Sequence, residues 1–166
     1  NMTGFGAGVF MYVGLLALTM ARHFLGAPVE GKMTPTLWVH LAPLSVIPLS
    51  MLALLKTTGD ASLLRYGSLV AAAFLGAALW WLVLAVSMTI RNRRQGKLPF
   101  ALSWWAFVFP IGACSVLAYR VSELLALEVL PLVASGLTLL ALFVWSATAL
   151  GTVRGIRTGA IFAPAH

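Results

Sequence analysis

Four acidic side chains, three imidazoles and one thiol are what 166 residues offer to acid–base, metal or nucleophilic chemistry. Of these, His40 in LWVHLAP and Cys114 in GACSVLA fall inside strongly apolar stretches. A haem held by two axial histidines needs a second imidazole at matching depth, and His23 and His166 lie in polar flanks. A zinc site needs three or four ligands at defined spacing, and His40, Cys114 and the acids show none. A glycine-rich phosphate loop and a nucleophile elbow are both missing. Acidic or basic residues near the middle of an apolar run cost at least about 2.5 kcal/mol and mark proton relays; this chain places none there. The residue types therefore predict no enzyme, no cofactor and no metal.

Prolines and aromatic rings remain. TLWVHLAPLS (Thr36 to Ser45) and SWWAFVFPIG (Ser103 to Gly112) align without a gap at an offset of 67 residues, placing Trp38 on Trp105 and Pro43 on Pro110. Proline removes one helical hydrogen bond and crowds the carbonyl one turn earlier. In hydrocarbon the freed carbonyl costs several kcal/mol unless protein or water satisfies it. Helices kinked at Pro43 and Pro110 are therefore expected to be shielded by neighbours or to line a wet cavity, with proline-free helices outside them. Phe109 directly precedes Pro110, and a phenyl ring at a kink facing a lumen can plug it. Core packing is the commoner role for such a ring. His40 and Phe107 are candidates to line the same cavity. A lone imidazole more often packs or bonds loosened backbone than acts as a switch.

The elements that must carry these residues follow from composition. The chain is 61% hydrophobic and 9% charged, against about a quarter charged in a soluble domain. A spanning helix needs about 20 mostly apolar residues. Five segments qualify, at about 2–21, 34–55, 63–90, 101–119 and 131–153, making an all-α membrane protein. Sixty-seven residues cover two spans and their loops, so the repeating unit is a helical hairpin. One set of polar gaps holds Arg22, Lys32, Arg91, Arg93, Arg94, Lys97, Arg154 and Arg157; the other holds Lys56, Arg65 and Arg120. Short cytoplasmic loops carry the Lys/Arg excess, which puts the C-terminus in the cytoplasm. The same clustering assigns the net charge of +7 to topology and lipid headgroups, with no call for nucleic acid.

LPFALSWWAFVFPIGACSVLAYRV (Leu98 to Val121) resembles the ninth-helix signature of the tellurite-resistance/dicarboxylate transporter family, the TehA-like proteins related to plant slow-type anion channels. TPTLWVHLAP (Thr34 to Pro43) resembles that family's seventh helix. The resemblance implies helices six to ten of a ten-helix unit, built from five hairpins about a quasi-fivefold axis and assembled as homotrimers. Proline-kinked odd helices would line a pore, with Pro43 and Pro110 as kinks and Phe109 as the gate. Helices one to five are then expected outside this chain, with Asn1 an internal point or a truncated start. The expected function is an anion channel or transporter of a bacterial inner membrane, passing dicarboxylate, chloride, nitrate, sulfite or tellurite-related anions. The alternative is a non-conducting membrane subunit whose kinked helices serve packing with a partner chain. A phosphate-rich lipid surface and small anions are the partners this reading calls for.

Overall fold

The computed structural model describes residues 2–26, 34–98 and 100–159. Asn1, Lys32 and His166 lie outside the described residues, as does the side chain of His23. The described chain is all-helical. In order come α1 (Met2–Leu25), α2 (Thr34–Val39), α3 (Leu41–Lys56), α4 (Ala61–Arg94), a 3-10 segment (Leu102–Phe107), α5 (Val108–Leu125) and α6 (Leu130–Thr158). These form five stretches long and apolar enough to cross a membrane: α1, α2 with α3, α4, the 3-10 segment with α5, and α6.

The helices run past the apolar segments at their polar ends. α4 starts where Asp60 accepts hydrogen bonds from the Ser62 and Leu63 amides at 2.8 and 3.2 Å, which satisfies two of the unpaired donors of a first turn. It ends at Gln95 and Gly96, whose φ of +67° is a left-handed angle glycine adopts freely. There the Lys97 amide donates to the Asn92 carbonyl and the Gly96 amide to the Arg93 carbonyl, at 3.0 Å each. At 34 residues α4 is about 50 Å long, against about 30 Å of hydrocarbon. Its arginines at 91, 93 and 94 therefore belong to the interface. α5 likewise continues beyond Arg120, which sits inside the helix and pairs with Glu123 three residues on.

α3 and α5 pack against each other and against α4, while α6 lies along α5 and α1 touches α3. The core between them is aliphatic and tight: Leu41, Ile111, Cys114, Leu117, Ala118 and Val121 are wholly enclosed. Small residues set the spacing. Ala71, Ala78 and Ala85 recur at seven-residue intervals on the buried face of α4, letting neighbouring backbones approach as small residues do between membrane helices. At Gly151 the Phe100 ring lies where a Cβ would stand, so a larger residue there would displace that ring.

Candidate functional site

The first proline acts where its chemistry dictates. Pro43 has no amide to offer the Val39 carbonyl, and regular helix stops at Val39 and resumes at Leu41. Between them His40 keeps helical angles, φ −66° and ψ −25°. The interruption is thus a gap in the hydrogen-bond ladder rather than a corner. Carbonyls on either side of it are taken up by neighbouring helices. Trp81 of α4 donates its indole N–H to the Leu37 carbonyl at 2.7 Å. Tyr12 of α1 donates its hydroxyl to the His40 carbonyl at 3.3 Å. The His40 ring stands edgewise to Trp81 at 5.2 Å and lies 6.3 Å from Tyr12, so it packs toward the helices α1 and α4.

The second interruption has a different form. Pro110 is the third residue of α5, where a missing amide leaves no intrahelical bond unmade. The six residues before α5 wind as a 3-10 helix, longer than such runs usually are. The two phenylalanines of Phe107-Val108-Phe109 part company here. Phe107 is buried, standing edgewise to Trp38 at 5.2 Å and to Trp104 at 5.8 Å. Phe109 is 64% exposed, and Val116 and Tyr119 continue its face of α5 at 52% and 54%. Pro110 itself is buried and Pro43 half-buried.

The hairpin repeat reappears in the hydrogen bonds. Trp38 donates to Thr89 Oγ1 at 3.0 Å, and Thr89 donates to the Ala85 carbonyl at 2.7 Å. Trp105, its counterpart, donates to Thr152 Oγ1 at 3.2 Å, and Thr152 donates to the Thr148 carbonyl at 2.8 Å. In both hairpins a tryptophan on the interrupted span thus hooks a threonine on the uninterrupted one. The threonine signal was present in the sequence, but sequence reasoning passed over it. It also passed over Asn92, which is buried between exposed arginines and donates to Thr34 Oγ1 at 2.7 Å. That bond ties the end of α4 to the start of α2. Ser115 ties α5 to α6 by donating to the Ala134 carbonyl at 2.9 Å.

This arrangement fastens the two interrupted spans to their neighbours through side-chain hydrogen bonds. Among the described residues, no three His, Cys, Asp or Glu side chains come together as a metal site. Five apolar spans, two of them interrupted and lodged against the others, make this a multi-pass membrane protein. The chain belongs to the voltage-dependent anion channel (SLAC1) family, whose pattern matches residues 1–153. It is 32% identical over 162 residues to "Uncharacterized transporter MJ0576" of Methanocaldococcus jannaschii, and 31% identical to "Uncharacterized transporter MJ0762" of the same organism. Each match covers 98% of this chain and 47% of the relative, so the chain spans about half the length of these relatives. No solved structure matches it significantly.

Proposed function

We propose that this chain supplies half the wall of a membrane path for small anions, with Phe109 as its gate. The observation that carries the reading is the position of Phe109. It is a large ring, 64% exposed, at the head of a face of α5 that Val116 and Tyr119 continue, while the opposite face is enclosed. Its exposed face is where the other half of a unit twice this length would close the path. Pro43 and Pro110 shape the two inner spans. His40 and Phe107 stand behind the wall and hold the interruptions against the neighbouring helices. The lack of Asp, Glu, Lys and Arg near the middle of the described spans suits a passive apolar path, in which backbone dipoles rather than fixed charges favour an anion. The basic excess at one end of the bundle supports a cytoplasmic C-terminus. Family membership supports small anions as cargo; a homotrimer in a bacterial inner membrane is the assembly this reading calls for.

The test is anion flux into liposomes carrying the full-length protein. Phe109→Ala should raise nitrate flux at least tenfold, while Val116→Ala on the same face changes it less than twofold. Normal folding with unaltered flux removes Phe109 from the role. No flux from any variant returns the chain to the non-conducting subunit reading.

A further inference from the structure

α3 closes at Lys56 and α5 at Leu125, at the end of the bundle opposite the arginines that finish α4. Between these two helix ends and the start of α4 lies a mostly apolar cavity of about 220 Å³, where Leu52 and Lys56 of α3 and Leu64 of α4 meet Arg120, Glu123 and Leu124 of α5. Liquid water occupies about 30 Å³ per molecule, so the space holds a small ion with part of its hydration shell. Both cations come from the two spans that carry the interruptions. We infer that this cavity is a binding site for a small planar oxyanion, a carboxylate or nitrate, at the mouth of the path. The inference rests on the two inner spans lining that path.

Arg120 already holds such a group. Its Nη1 donates to Glu123 Oε2 at 2.9 Å, so the Glu123 carboxylate occupies the guanidinium as a built-in stand-in for solute. The two side chains are 59% and 45% exposed. An exposed ion pair of this spacing is weak, and a dissolved oxyanion exchanges with Glu123 at little cost. The guanidinium fork matches two oxygens of one planar anion, whereas the Lys56 ammonium adds a point charge. Lys56 sits in the last turn of α3, where unpaired carbonyls partly offset it. Arg120 therefore carries most of the affinity and Lys56 the attraction at longer range. With Glu123 the sole acid lining the cavity, its net charge is +1. Displacing that carboxylate exposes the guanidinium to the incoming ion, with Lys56 lining the same space.

Calorimetric titration of the purified full-length protein with sodium nitrate tests the site, beside nitrate flux in liposomes. Arg120→Gln should weaken nitrate binding at least tenfold, and Arg120→Lys by less, since it keeps the charge and loses the fork. Glu123→Gln, which removes the competitor, should tighten binding severalfold. Arg91→Gln, exposed at the opposite end of α4, should leave it unchanged. Nitrate affinity indifferent to Arg120, or weaker binding in Glu123→Gln, overturns the site. Flux that persists in that case leaves the path standing. Binding through Arg120 without flux in the wild-type protein overturns the path and leaves the site.

Discussion

The two interrupted spans and the three uninterrupted ones differ in burial but not in the way their apolarity suggests. In each interrupted span, 39% of the most apolar window is enclosed by other helices, against 28% for α4, 11% for α6 and 6% for α1. Yet the span from Leu102 to Leu125 has the lowest mean hydropathy of the five, 1.5, and α4 the highest, 2.4. In water the most apolar segment goes inside because water rejects it. In a bilayer the surroundings are as apolar as the core, and enclosure goes instead to the segments with polar backbone to hide. Around the interruption before Pro43, the Trp81 and Tyr12 side chains that bond the flanking Leu37 and His40 carbonyls come from the uninterrupted helices. At Pro110 no intrahelical bond is left unmade, so this need for partners belongs to the span of α2 and α3.

That comparison breaks if the interruption survives without its caps. Trp81 is 3% exposed and packs against His40 while bonding the Leu37 carbonyl. Trp81→Ala should cost about 3–5 kcal/mol of stability, read from denaturant unfolding in detergent micelles. A loss below about 1 kcal/mol would mean that the inner span does not depend on α4. Trp81→Phe keeps most of the ring and loses the N–H, and should cost about 0.6–1.7 kcal/mol, the range of hydrogen bonds between membrane helices.

The two tryptophan–threonine hooks sharpen the comparison further. Trp38 is 4% exposed and Trp105 is 40% exposed, so the same bond lies in an enclosed place in one hairpin and an open place in the other. Trp38→Phe should cost about 1 kcal/mol and Trp105→Phe under about 0.5 kcal/mol in the same unfolding assay. Equal costs would show that burial does not set the strength of the hook. Phe109→Ala should be the mildest change, within about 0.5 kcal/mol of the wild-type stability, because the ring has few partners in this chain to lose. A larger loss would place Phe109 in the packing core and against the gate.

Particular residues mark how far the sequence could be read. The five spans, the hairpin repeat and the interior without charges follow from counting, since about 30 Å of hydrocarbon imposes a length and forbids charges. Pro43 announced trouble near Val39 because its missing amide is covalent fact. What could not be read is which way neighbouring rings face. Phe107 and Phe109 are the same residue two places apart, and only the winding of the 3-10 segment into α5 sends one into the core and the other out. Asn92 was hidden among arginines in the same way, its burial decided by Thr34 across the bundle.

The sequence by itself determined that five segments are long and apolar enough to span a membrane, that two alternate ones carry prolines, and that charged side chains keep to their ends. Tertiary structure alone decided which spans are enclosed, which side chains bond the carbonyls flanking the first interruption, and that Lys56 and Arg120 share one cavity. The reason is that covalent constraints and the cost of charge in hydrocarbon act on each segment separately, whereas lipid and protein interior are almost equally apolar. Only contacts between segments can choose between those two.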